Sequence, residues 1–166
     1  KLDPKNPVSL TIWHYYNGAQ QAMFDRLVKE FNSSVGKEKG IYVDCCTQGS
    51  VSDLEQAIQS SLNEEVGADK LPDMFSSYAD TACAVQEKGM LADLSNYFTE
   101  EELSKYVDSD IQEGYFNQDG ALYLFPVAKS TEITFINKTD WEPFAKSAGV
   151  TVDDLATTEG ITQTAE

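Results

Sequence analysis

The first half of the chain alternates β-rich runs with helical stretches three times, and this order constrains the fold more than any other feature. Val8-Ser9-Leu10-Thr11-Ile12-Trp13 is rich in β-branched and aromatic residues and predicts a first strand. Residues 19–32 follow, with Met23, Leu27 and Phe31 at four-residue spacing and Phe24 and Val28 beside them, the period of an amphipathic helix. Gly36 and Gly40 flank the connection to a second strand, Ile41-Tyr42-Val43-Asp44-Cys45-Cys46. Ser52-Asp53-Leu54-Glu55 has the form of a capping box, which satisfies orphan N–H groups at a helix start. The helix it opens is expected to carry Leu54, Ile58, Leu62 and Val66 as one stripe and to stop at Gly67. Pro72-Asp73-Met74-Phe75-Ser76 predicts a short third strand, and residues 81–88 a helix ending at Gly89. Strands separated by helices pair in parallel, so the expected fold class is α/β, a mainly parallel sheet flanked by helices.

The pattern then changes. Residues 94–98 read as a short turn or helical piece, and Thr99-Glu100-Glu101-Glu102 as a second capping box opening a helix to about Val107. Asn117-Gln118-Asp119-Gly120 predicts a turn, Ala121-Leu122-Tyr123-Leu124-Phe125 a strand ending at Pro126, and residues 133–137 one more strand. Residues 141–148, and those from Val152 onward, read as helical. The polar leader Lys1 to Pro7 reads as a tether, and residues 157–166 as an element cut short, so a longer protein is expected.

The loops after the carboxyl ends of parallel strands are where open α/β sheets bind ligands. Here they are His14-Tyr15-Tyr16-Asn17-Gly18, Thr47-Gln48-Gly49-Ser50 and Ser76-Ser77-Tyr78-Ala79-Asp80. Tyrosines, amides, hydroxyls and a carboxylate suit stacking on the apolar face of a sugar and bonding to its hydroxyls. The same residue types are ordinary in loops, so the argument rests on three such loops converging on one sheet edge. Nucleophile elbow, zinc-protease, P-loop and dinucleotide motifs are all missing, and His14 has no partner placed by spacing, which argues against catalysis. It reads as a packing or hydrogen-bonding residue. Glu100, Glu101 and Glu102 are explained as acids favoured at a helix start. The net charge of −16, from 28 acidic and 12 basic residues, repels phosphate backbones and anionic lipid and excludes nucleic acid as a partner. Cys45, Cys46 and Cys83 lack Cys-x-x-Cys spacing, and His14 is far from them in sequence. Buried free thiols are therefore expected, a bridge to Cys83 stays open, and neither metal nor cofactor is expected. Asn32-Ser33-Ser34 and Asn137-Lys138-Thr139 match glycosylation sequons, a pattern too short to carry weight alone.

Five segments taken in order resemble family 1 extracellular solute-binding proteins, the ligand-capturing subunits of bacterial ABC importers. Leu10-Thr11-Ile12-Trp13-His14 followed by a helix with Phe24-Asp25-Arg26-Leu27-Val28-Lys29-Glu30-Phe31-Asn32 resembles their opening. Pro72-Asp73-Met74-Phe75 is similar to their third strand, and Gly89-Met90-Leu91-Ala92-Asp93-Leu94 to the segment after it. Gly120 to Val127 resembles the strand that crosses to the second lobe, and Ile133-Thr134-Phe135-Ile136-Asn137-Lys138 the strand beyond.

The resemblance implies a type II periplasmic-binding-protein-like architecture: a first α/β lobe over residues 8–125, a hinge crossing at 126–131, and the beginning of a second lobe at 132–166. It implies a carbohydrate between the lobes and delivery to a membrane permease, from an extracellular lipoprotein or a periplasmic protein. Another small polar or cationic solute and a carbohydrate-active hydrolase are the rival readings. Carried onto this chain, the ligand role falls on His14, Tyr15, Tyr16, Asn17, Gln48, Ser50, Tyr78 and Asp80, and on Lys129 and Ser130 after the crossing strand. Without the rest of a second lobe, residues 133–166 are expected to pair with a neighbouring copy, fold back, or move more than residues 8–125.

Overall fold

The structure, a computed structural model, describes residues 2–117, 119–128 and 134–165. It divides into two units, Lys1–Val127 and Ala128–Glu166.

In the first unit, β1 (Val8–His14), β2 (Ile41–Thr47) and β3 (Met74–Phe75) form a three-stranded sheet in the order β2-β1-β3. Both pairings are parallel, with Val8 opposite Ile41 through His14 opposite Thr47, and Ile12 and Trp13 opposite Met74 and Phe75. The strand period of two then sorts the side chains. Trp13 and its neighbour Cys46 face the main core, where Trp13 meets Leu54, Ile58 and Val85 from α3 (Val51–Leu62) and α4 (Ala79–Glu87). Along each strand His14 and Cys45 are one residue removed from these and point to the other face, the side of α1 (Gly18–Ser33). The parallel α/β expectation holds.

The strand ends are finished by side chains. β3 is short because Pro72 has no N–H to give, and Asp73 offers its carboxylate, not its backbone, to the Thr11 N–H at 2.8 Å. At β2, an edge strand among the described residues, the Asn32 amide donates to the Val43 carbonyl at 2.7 Å and accepts the Val43 N–H at 2.8 Å. This occupies backbone groups that an open edge would offer to another chain. The short helix α2 (Val35–Lys39), not expected from the sequence, ends at Gly40 in the left-handed region with φ 76°.

Three expectations are corrected. The box that opens α3 is Ser50 with Asp53, not Ser52 with Glu55, because Asp53 accepts from the Ser50 amide and the Ser50 hydroxyl bonds back to the Asp53 N–H. α3 ends at Leu62, short of Gly67, so Val66 leaves the stripe and is fully exposed. Residues 121–125 are not a strand: the Leu122 N–H goes to the Asp93 carboxylate, its carbonyl accepts from Leu94, and Tyr123 N–H goes to the Gly114 carbonyl. Leu122 is nonetheless fully buried. Gly114 is required here, since a β-carbon on it would collide with the Leu124 carbonyl.

The second capping box is formed by Thr99 and Glu102, but the helix it opens, α5 (Glu100–Leu103), is only one turn. A separate α6 (Asp108–Gln112) follows, with Ile111 buried. Phe98 stacks on Phe125 at 4.4 Å, and Tyr106 meets the same ring edge-on at 4.8 Å.

In the second unit, α7 (Lys138–Ala148) is capped by the Asn137 side chain on the Thr139 N–H and closes at Gly149, φ 72°. A 3-10 turn at Val152–Leu155 carries a Thr151–Asp154 capping box, and α8 (Thr158–Ala165) follows. The strand expected at residues 133–137 begins on Ile133, outside the described residues, and residues 134–137 are not strand, with Phe135 86% exposed.

Candidate ligand-binding site

The carboxyl ends of β1 and β2 are tied together by their own loops. Gln48 N–H donates to the His14 carbonyl at 2.8 Å, and the Thr47 hydroxyl to the Tyr16 carbonyl at 2.9 Å. β3 joins them through the Ser76 N–H, which donates to the Trp13 carbonyl at 2.9 Å. The three loops named from the sequence therefore sit at one edge of one sheet. Thr47 was not among the expected residues, yet its hydroxyl also accepts the Gly49 N–H at 3.3 Å and so holds two loops in register.

Tyr15 and Tyr16 are half-buried with ring centroids 5.4 Å apart, and the Tyr16 ring rests 5.3 Å from Phe24 of α1. Burial pushes the Tyr15 phenol up from its ordinary value, and the nearby phenols of Tyr78 and Tyr16 push it further the same way. Tyr78, at the N-cap of α4, is 52% exposed. Asn17 is exposed at the N-cap of α1 and makes no capping hydrogen bond, so its amide is available. Gln48 is half-buried, whereas the Ser50 hydroxyl is committed to the cap of α3. Asp80 is exposed in the first turn of α4 and accepts the Thr81 N–H at 2.8 Å.

His14 is different. It has no exposed surface, its ring packs edge-on against Phe24 at 4.9 Å and beside Tyr16 at 5.4 Å, and its Nδ1 accepts the Tyr16 N–H at 3.2 Å. It positions Tyr16 and does not itself present a surface to a solute. Burial lowers its pKa below the usual value, opposed by the Asp25 carboxylate. Lys129 and Ser130 lie outside the described residues.

The arrangement offers flat aromatic surface, amide groups and one carboxylate on a scaffold held by backbone hydrogen bonds, groups of the kind that stack on and hydrogen-bond to a polar small molecule. A groove of about 410 Å³ lies elsewhere, between α1 and β2, lined by Asp25, Val28, Asn32, Asp44 and Cys45 among others. Cys45, Cys46 and Cys83 are free thiols. No helix among the described residues is long and apolar enough to cross a membrane.

No curated protein sequence matches the chain. Solved structures do. The cyclic alpha-maltosyl-1,6-maltose binding protein from Arthrobacter globiformis is 24% identical with a TM-score of 0.56, over 70% of this chain and 27% of its own length. An extracellular solute-binding protein family 1 member from Alicyclobacillus acidocaldarius is 20% identical with a TM-score of 0.57, over 72% of this chain and 28% of its own. The maltotriose binding protein of Thermus thermophilus is 15% identical with a TM-score of 0.51, over 69% and 28% respectively. At these identities the likeness concerns the fold, and the chain spans just over a quarter of each of these proteins. The sequence profile of the bacterial extracellular solute-binding proteins matches residues 26–166, most of the chain. This match over most of a chain whose described strands form a parallel sheet shows that the chain belongs to the bacterial extracellular solute-binding protein family.

Proposed function

We propose that this chain supplies the first lobe of a carbohydrate-binding subunit of a bacterial ABC importer, which closes on its sugar and presents it to a membrane permease. The observation that carries this reading is the aromatic edge of the sheet, where Tyr15 meets Tyr16 and the loop that bears Tyr78 is tied to the same edge by the Ser76–Trp13 hydrogen bond. Tyr15, Tyr16 and Tyr78 are the stacking surface, and Asn17, Gln48 and Asp80 the hydrogen-bonding groups. Ser50 and His14 act from beneath, by holding α3 and Tyr16. Lys129 and Ser130 belong to the same reading as contacts contributed after the first lobe. Residues 8–125 are the lobe, 126–131 the crossing and 132–166 the start of a second lobe. Closure of two lobes around a solute is a hinge motion, which needs a few residues at the crossing to absorb the rotation.

The protein works as a binder, not as an enzyme, and outside the cell membrane, as a lipoprotein or in a periplasm. The names of two similar structures, binders of a cyclic maltose derivative and of maltotriose, support a sugar as ligand. The test is a thermal-shift screen of the intact protein against mono- and oligosaccharides, cationic solutes as a comparison set, with product analysis of each mixture. A saturating ligand raises the melting temperature by mass action. A shift with a sugar and an unchanged sugar afterwards supports the reading. A shift only with cationic solutes, or release of reducing ends, overturns it.

A further inference from the structure

We propose that His14, Asp25 and Cys45 form a binding site for one divalent transition-metal ion of the zinc type. The three residues come from β1, α1 and β2 and are far apart in sequence. The parallel register sets Cys45 opposite Ile12, on the same face of the sheet as His14, and α1 lays Asp25 over both. An imidazole nitrogen, a carboxylate oxygen and the Cys45 sulfur all lie within 4.8 Å of one another. Donors around a tetrahedral zinc ion stand roughly 3.3–3.7 Å apart, given bond lengths of about 2.0–2.3 Å. Closure of about 1 Å by side chains completes the set.

A second observation points to a ligand. His14 has no exposed surface, and its Nε2 has no hydrogen-bond partner among the described residues. A buried polar atom without a partner needs an explanation, and in the tautomer with the ring proton on Nδ1 the bare Nε2 lone pair is one that a metal ion satisfies. The Cys45 sulfur donates to Asp25 Oδ1 at 3.5 Å, so a cation would take the place of a proton already shared by these two groups. Binding releases that proton to solvent and leaves a thiolate and a carboxylate, two negative charges against a divalent ion. The sulfur and nitrogen donors disfavour magnesium and calcium, which prefer all-oxygen shells. Access is through the groove between α1 and β2, which Asp25, Asp44 and Cys45 line.

Occupancy would also reach the sugar-type loop. A metal on Nε2 requires the ring proton to sit on Nδ1, and that nitrogen now accepts the Tyr16 N–H. The Tyr16 amide must then give up its acceptor, so the ion is coupled to the position of Tyr16.

The test is titration of the intact, reduced protein with Co²⁺, followed by competition with Zn²⁺. The expected result is one equivalent bound, with the near-ultraviolet charge-transfer band of a cobalt thiolate, abolished by Zn²⁺. Cys45→Ser should remove the band, while Cys46→Ser and Cys83→Ser keep it. Asp25→Asn, at an exposed helix position that leaves the fold intact, should weaken binding by about tenfold or more, on the scale of disturbing a metal ligand. The Tyr16 amide resonance should shift on Zn²⁺ addition in the wild type and stay in Cys45→Ser. A protein that binds no cobalt, a band that survives Cys45→Ser, or Asp25→Asn with unchanged affinity would overturn the proposal.

Discussion

Asn32 gives the sharpest test of how the first unit is held together. Its amide makes two hydrogen bonds to one residue of the neighbouring strand, at 2.7 and 2.8 Å to Val43. The Val43 carbonyl requires the NH₂ end and its N–H the oxygen, so the orientation of the amide has only one solution. Each such bond contributes about 0.5–1.5 kcal/mol net, so Asn32→Ala should cost about 1–3 kcal/mol. With a urea slope of about 2 kcal/mol per molar, this moves the unfolding midpoint down by roughly 0.5–1.5 M. Asn32→Asp separates hydrogen bonding from shape. The aspartate has nearly the same outline but turns a carboxylate oxygen toward the Val43 carbonyl, so it should be destabilised about as much as the alanine variant. An Asn32→Asp protein as stable as the wild type would show that only packing matters, and the reasoning would be wrong. The alanine variant also uncovers backbone groups at a strand edge, which should appear as concentration-dependent light scattering. One more consequence is that the sequon at Asn32 is a poor glycosylation site, because the nitrogen a glycan would need is already donating.

Ile58→Ala should destabilise by about 2–5 kcal/mol in a denaturant melt, since Ile58 is wholly buried, whereas Val66→Ala should stay within about 0.5 kcal/mol. The Asp53 carboxyl is held below the usual range by the Ser50 hydroxyl and then the Ser50 amide, a depressed folded value. Its contribution is therefore present above the unfolded value of about 4 and lost as pH falls through the folded one. Thermal melts of wild type and Asp53→Asn should accordingly converge at low pH, and a gap that widened on acidification would contradict the sign. Tyr78→Ala in the intact protein should weaken sugar binding by about 1–3 kcal/mol by calorimetry with an unchanged melting temperature, because its ring is half in solvent in the first unit. Unchanged affinity would remove Tyr78 from the site.

Much of the first unit could be read directly from local signals in the chain. The spacing of Met23, Leu27 and Phe31 predicted α1, and Gly89, read as a helix stop, follows the end of α4, whereas Gly67 does not close α3. Helical period, caps and breakers act within a few residues, so a sequence displays them openly. Even here one local reading was shifted: the sequence pointed to Ser52 with Glu55, and the box that forms is Ser50 with Asp53, two residues earlier. The loops at the sheet edge were legible because parallel strands place their carboxyl ends together whatever their side chains.

What tertiary structure decided was pairing between distant groups. Residues 121–125 have strand composition, but hydrogen bonds of Leu122 and Tyr123 go to Asp93, Leu94 and Gly114, with a carboxylate 29 positions upstream holding the Leu122 N–H. The resemblance gave His14 a ligand role while its residue type read as packing, and the burial that favours packing depends on Phe24 and Tyr16 beside the ring. The approach of His14 to Asp25 and Cys45 has no trace in sequence spacing. It follows from one register, Ile12 beside Cys45, and from the helix that this register leaves lying above them. Local hydrogen bonds and side-chain period are written along the chain, whereas the partner of a buried polar group depends on which segments come to lie beside it.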